Sequence, residues 1–219
     1  MAASINRSNI RNEIINFLRN QNIISTTNRG VTTSSDKGTF TSASTHTLGT
    51  APTLVKNIRS VIVAGSTLKY GTDYQLNLNT GVITFTSAQT GAYTITYDQG
   101  SSDRIFPDFA QIERRIGYFD EGAIAFKMLD SSIKEVALGG GTTRHDYVLT
   151  IVMYHVDTDE LDDLVSSVEN AFLDNKKKFT FTRFATPIRG GPILNDPAKK
   201  GKVLYTNLDV ALQLNYQTV

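Results

Sequence analysis

The side chains best suited to proton transfer or metal binding near neutral pH are His46, His145 and His155, and no two of them share a motif. A zinc site of the His-Glu-x-x-His type needs two imidazoles one turn apart on a helix. The strongest helical pattern in the chain, beginning after Asp157, contains no histidine. Cysteine is absent, which excludes disulfides, thiolate metal sites and cysteine nucleophiles. No Gly-x-Ser-x-Gly elbow marks a serine hydrolase. Asp157, Asp159, Glu160, Asp162 and Asp163 are close in sequence, but helical spacing puts them on the solvent side, opposite Leu161, Leu164 and Val165. Catalytic carboxylates need a cleft that separates their pKa values, and an exposed helix start offers none. Gly139-Gly140-Gly141-Thr142-Thr143 invites a phosphate-loop reading. That loop requires a lysine after the glycines and a helix facing the phosphate, whereas here a β pattern follows and the loop has no lysine. A hairpin tip is the expectation there, and Gly190-Gly191-Pro192 lacks a nucleotide fingerprint in the same way. No catalytic residue, cofactor or metal site is expected.

The elements that would carry any function are bounded by composition. A chain of 219 residues makes one large domain or two small ones. Its 22 Lys and Arg nearly balance 21 Asp and Glu, for a net charge of +1, so a basic nucleic-acid footprint over the whole surface is not expected. Forty per cent of residues are apolar, and no apolar run approaches the ~20 residues that cross a bilayer. The N-terminus has no apolar core of the signal-peptide kind, and the expectation is a soluble protein made inside a cell and not secreted by the usual route.

Ile10, Ile14, Phe17 and Leu18 fall on one stripe and predict a helix, with Ser4 or Ser8 as its cap. Residues 25–53 are about half Ser and Thr and are broken by Gly and Pro, which predicts a long extended loop, with room for short edge strands, anchored by Val31, Phe40 and Leu48. From Leu54 to Tyr97 the pattern is β: Ile58–Val63, Tyr74–Leu78, Val82–Thr86 and Tyr93–Tyr97, with a tight turn at Asn79-Thr80-Gly81. This makes a module of about four strands, ending at Asp98–Asp103.

Beyond it, Ile124, Phe126 and Met128 alternate, Ile133, Val136 and Leu138 suggest a second strand, and Tyr147–Val156 reads as a central strand covered on both faces. A helix follows, capped by Asp157 or Thr158, with Leu161, Leu164, Val165, Val168 and Phe172 inward and Lys176–Lys178 at its end. Its acidic start and basic end both suit the helix dipole. Phe179–Thr182 opens another strand, Pro187–Gly201 reads as a loop, and the last strand sets Leu208, Val210, Leu212, Leu214 and Tyr216 against Asp209, Ala211, Gln213 and Asn215. One face of that strand is expected to be buried and the other wet or in a subunit contact. The fold class is α+β: an antiparallel or mixed sheet packed by two helices, from residues 1–24 and 104–219, with a small all-β module and its Ser/Thr-rich loop inserted at 25–103.

The run Ala137–Ile151, with its Gly139-Gly140-Gly141 tip and the Arg144-His145-Asp146-Tyr147 that follows, continues through Val152–Val156 into Asp157-Thr158-Asp159-Glu160-Leu161. This order, behind a leading helix, resembles the tail terminator (tail completion) proteins of tailed bacteriophages. Tyr70–Tyr74 and Asn79–Phe85 likewise resemble β-modules of phage virion proteins. The 25–103 insertion departs from the compact form of that family.

The resemblance implies a structural virion protein with no enzymatic role. It would form a ring, hexameric in the family, that caps the tail tube, ends its polymerisation and joins the tail to the head. The implied partners are copies of itself, the tail tube protein and a head-side connector, with DNA only passing through the lumen and no membrane contact. The implied location is the virion tail or neck, after assembly in the host cytoplasm. Three contact regions are expected: the tip at Gly139, Gly140, Gly141, Arg144 and His145; the loop bearing Arg189, Lys199, Lys200 and Lys202; and the 54–98 module as an outer collar. The alternatives are another head–tail connector or neck protein, a small hydrolase using His145 or His155 with a carboxylate, and an adhesion module stacking Tyr70, Tyr74, Tyr93 and Tyr97 on sugar.

Overall fold

A computed structural model describes residues 7–48, 55–78, 80–100, 103–107, 119–128, 132–135, 142–175, 178–180, 182–195, 203–214 and 217–218. The chain divides into two compact units: Ser25–Asp103, and Ile5–Ile24 joined to Arg104–Val219. The class is α+β.

In the first unit a one-turn helix, Thr26–Arg29, precedes a long strand, and the leading helix Arg7–Asn20 belongs to the second unit. In chain order these helices are α1 (Arg7–Asn20) and α2 (Thr26–Arg29). Five strands follow: β1 (Thr32–Thr47), β2 (Val55–Val63), β3 (Ser66–Leu68), β4 (Tyr74–Asn77) and β5 (Val82–Gln99). They form one antiparallel sheet in the order β1-β5-β2-β3, with β4 also on β5.

The Ser/Thr-rich stretch is therefore not a loop. Sixteen of its residues are β1, paired with β5 from Thr32 opposite Gln99 to Thr47 opposite Val82. Its β-branched threonines suit a strand, and its hydrogen bonds come from the neighbour, so it needs no apolar period. Of its 16 residues only Phe40 is buried, while Val31 and Leu48 anchor its two ends at 4% and 0% exposure.

The two strands expected at Val82–Thr86 and Tyr93–Tyr97 are one, β5, which runs through Gly91. Gly91 has φ +111°, and a Cβ there would lie 3.1 Å from the Cβ of Ala64. Glycine is thus required to keep the ribbon continuous at that crossing. On β1 the register shifts between Phe40 and Thr45, where Ser42 also has positive φ. Such bulges bend a strand. The core joins Ile95 and Tyr97 from one half of β5 with Ile83 and Phe85 from the other, together with Val61, Val63, Tyr74 and Leu76.

The second unit contains β6 (Ile105–Phe106), β7 (Ala123–Met128), β8 (Ser132–Glu135), β9 (Thr142–His155), α3 (Thr158–Asn175), β10 (Thr182–Gly190), β11 (Leu194–Asn195), β12 (Leu204–Leu214) and β13 (Gln217–Thr218). Its sheet runs β10-β12-β9-β7-β6, with β11 on β12 and both β8 and β13 on β9. Among the described residues only the β6–β7 pair is parallel in this sheet. Strand β9 is central and buried on both faces, with Leu149, Ile151 and Met153 on one side and Val152 and Tyr154 on the other. Strand β7 is also buried on both faces, at Ala123 and Ala125 as well as Ile124 and Phe126, so the expected alternation at 124–128 understated its burial. In β12, Leu208, Val210 and Leu212 are buried and Asp209, Ala211 and Gln213 are half-buried, as the alternation predicts.

Helix α1 buries Ile10, Ile14, Ile15 and Leu18, and packs against β7. Ser8 lies within its first turn rather than ahead of it, and Ser4 is outside the described residues. Helix α3 packs on β9, β10 and β12 through Leu161, Leu164, Val168, Ala171 and Phe172. Phe179 does not open a strand. Its ring packs 4.9 Å from Phe17 and 6.2 Å from Phe172, joining α1 and α3, and β10 starts at Thr182. The expected loop from Pro187 is strand as far as Gly190. Proline is tolerated there because β10 ends the sheet, and a register shift follows it between Pro187 and Arg189.

Asp157 is the cap of α3: its Oδ1 accepts the backbone N–H of Asp159 at 2.9 Å and of Glu160 at 3.2 Å. Asp157→Ala is expected to cost about 1 kcal/mol in urea unfolding, the usual value of a helix cap.

Candidate functional site

The three regions expected to make contacts fare differently. Gly139, Gly140, Gly141, Lys199, Lys200 and Lys202 lie outside the described residues. Arg144 and His145 occupy β9, where the backbone register sets them opposite Lys134 and Ile133 of β8. The connection 136–141 therefore joins two antiparallel strands. Arg189 occupies β10 opposite Asp209 of β12. In the same cross-strand row, Asp209 pairs with Thr150 and Thr150 with Lys127, and the Thr150 hydroxyl donates to Asp209 Oδ1 at 2.7 Å.

Strands β10 and β11 both lie on the outer side of β12, because Gly190 pairs with Leu208 and Leu194 with Tyr205. Together they form one edge of the sheet, with no further strand on it among the described residues. Among the described residues four large apolar side chains are exposed, and two of them sit there: Ile188 at 56% and Leu194 at 46% exposure. The outermost strand of a sheet beside apolar surface is the kind of place where another chain docks. The sequence reading missed it because Pro187 and the glycines masked the strand.

Sequence reasoning also missed two polar clusters in the first unit. In one, the Arg29 guanidinium is fully buried, donating from Nε to Asp103 Oδ1 at 3.0 Å and from Nη2 to Asp103 Oδ2 at 3.2 Å, and from Nη1 to Asp98 Oδ2 at 3.1 Å. Asp98 Oδ1 also accepts from Arg59 Nε at 2.6 Å and from the Thr33 hydroxyl at 3.0 Å. Two cations, Arg29 of α2 and Arg59 of β2, and two anions, Asp98 of β5 and Asp103 beyond its end, thus neutralise one another. Burial alone would raise the Asp98 carboxyl. The hydrogen bonds from Arg59 and Thr33 and the two guanidinium charges outweigh it and hold Asp98 below the usual carboxylate range.

A carboxyl whose folded pKa is depressed adds stability above its unfolded value near 4, and that stability is lost as pH falls through the folded pKa. The first unit is therefore expected to lose stability progressively below about pH 4. Asp98→Asn, followed by circular dichroism across the same range, is expected to flatten that slope.

The second cluster links Asp36 and His46, ten residues apart on the single strand β1. Their Oδ2 and Nε2 atoms are 2.8 Å apart, while the Tyr93 hydroxyl donates to Asp36 Oδ1 at 3.4 Å. A straight strand would separate such residues by roughly 33 Å, so this contact reports how sharply β1 turns between them. The imidazole packs against Phe40 and Tyr93, with ring centroids 5.2 and 5.0 Å away. Its contacts with Asp36, Phe40 and Tyr93 hold the bend. His155 is buried, and its Nδ1 accepts the Asp157 backbone N–H at 3.0 Å, so this imidazole is tied to the turn before α3.

Tyr74 and Tyr97 are each 5% exposed and belong to the core, so they offer no ring to a sugar. Burial pushes the Tyr74 phenol well above its ordinary pKa. Among the described residues no group of three or more His, Asp and Glu could hold a metal ion, and no helix is long and apolar enough to cross a membrane. No protein-family model, no curated protein and no solved structure matches the chain.

Proposed function

We propose that this chain is a structural protein of a tailed-phage virion that assembles into a ring, caps the tail tube, ends its growth and joins the tail to the head. The observation that carries the reading is the β10–β11 edge, which pairs with no further strand among the described residues and has Ile188 and Leu194 exposed on it. A subunit that repeats around a ring needs a surface that meets a different surface on its neighbour, with a rotation that closes. The polar clusters of the first unit support the same reading, since the Arg29 set and the Asp36–His46 pair hold shape. Ending tube growth requires one ring face that matches the tube and one that does not. The partners in this reading are copies of the chain, the tail tube protein and a head-side connector. DNA passes through the lumen, and the site of action is the virion tail or neck.

The full-length protein is expected to scatter light as a closed ring of about six copies. When it is added to polymerising tail tube protein, it is expected to give shorter tubes that carry it at one end. A strict monomer at high concentration and low salt that leaves tube length unchanged would overturn the reading. A ring that ignores tubes but binds the portal side would reassign it to the connector class.

A further inference from the structure

We propose that the cluster of Arg29, Asp98 and Asp103 is an acid-released clasp, which in acid lets the one-turn helix α2 come away from the first unit while the sheet beside it stays folded. The inference does not depend on the ring reading. What holds α2 in place is mainly charge. Of its four residues only Arg29 is buried, and the guanidinium makes two hydrogen bonds to Asp103 and one to Asp98. The hydrophobic core of the unit, built around Val61, Ile83 and Ile95, includes neither Val31 nor any residue of α2. Releasing α2 therefore exposes little apolar surface, whereas the core has no need of the clasp to stay buried.

Asp98 carries the pH dependence. Around it stand Arg29 of α2, Arg59 of β2 and the Thr33 hydroxyl of β1, with Asp103 on the far side of Arg29. Burial favours the neutral carboxyl, but the hydrogen bonds and the two guanidinium charges outweigh it and keep the folded pKa below the ordinary one. Opening the clasp returns Asp98 to water and to a value near 4. The open form then binds a proton more tightly than the closed form, so it gains on the closed form as pH falls below about 4. Once Asp98 is neutral, Arg29 keeps its charge in a site without solvent and has lost one of its two counter-charges. Release of α2 relieves that, because its other three side chains are not buried to begin with.

Hydrogen exchange of the full-length chain at about pH 6 and about pH 2.5, corrected for intrinsic rates, tests the clasp. The amides of Arg29, Gly30 and Val31 donate to the carbonyls of Ser25, Thr27 and Thr26. Their protection is expected to fall about tenfold or more in acid. The amides of residues 93–97, on a stretch of β5 paired with both β1 and β2, are expected to stay about a hundredfold better protected than these. Asp98→Asn with Asp103→Asn removes both charges without acid, and is expected to show the acid pattern already at the higher pH. Retained protection at 29–31 in acid overturns the clasp. Loss there in step with 93–97 also overturns it, since the unit would then unfold as one block. A double variant that keeps the parent's pH response overturns the aspartates as the trigger. If that variant does not fold, the pH series on the parent chain decides.

Discussion

Arg29→Met is expected to destabilise the first unit by roughly 3–5 kcal/mol, the cost of removing one partner from a buried ion pair. Asp103 loses both of its guanidinium hydrogen bonds, and Asp98 keeps only those from Arg59 and Thr33. Methionine fills much of the same space but leaves carboxylates in a site with little water. Urea unfolding followed by hydrogen exchange at the β1 and β5 amides reads this unit, whereas tyrosine fluorescence would also report the five tyrosines of the other. The pH dependence separates lost charge pairing from lost packing. Without Arg29, Asp98 loses one of the charges that hold its carboxyl below the usual range, so the variant has less ion pairing left to lose in acid than the parent. The stability curves of parent and variant should converge as pH falls below about 4. A gap that stays constant would assign the loss to packing. Adding Asp98→Asn and Asp103→Asn to the variant is expected to recover part of the loss at neutral pH.

Phe172→Ala is expected to cost the second unit about 3–5 kcal/mol, the range for truncating a buried phenylalanine. Phe172 has no exposed surface, and its ring lies 5.5 Å from Phe17 of α1 and 6.2 Å from Phe179. The three rings join the two helices to the segment that leads into β10, so the truncation removes a shared packing point. Hydrogen exchange should quicken in α1, α3 and β10, while the amides shared by β1 and β5 keep their protection. Equal acceleration in both units would mean that they unfold as a single cooperative block.

Much of the second unit was legible in the sequence because its signals are periodic. The stripe Leu161, Leu164, Val168 and Phe172, the apolar run of β9 and the alternation of Leu208, Val210 and Leu212 each describe a buried face, and each is buried. The first unit was less legible for a physical reason. β1 is polar on nearly every position and takes its order from hydrogen bonds to β5, which leave no apolar period to read. Val82–Thr86 and Tyr93–Tyr97 looked separate because Gly91 suggests a turn, whereas it serves a close crossing over Ala64. The docking edge was hidden by a similar ambiguity, since Pro187 and Gly190 mark a loop in most contexts but are compatible with an outermost strand. The Arg29 cluster could not be read from spacing at all, because its members are up to 74 residues apart.

At the foot of the first unit, Thr32 pairs with Gln99, and a Cβ on Gly100 would come within 2.6 Å of the Gly30 carbonyl oxygen. The backbone thus arrives and departs side by side, and Arg29 grips Asp103 across that gap. A segment with neighbouring ends can be cut out and bridged by a few residues, or transplanted into a surface turn of an unrelated host, without stretching either piece. Residues 25–103 have the form of a detachable cassette, one that evolution could exchange at this position while the rest of the polypeptide kept its shape.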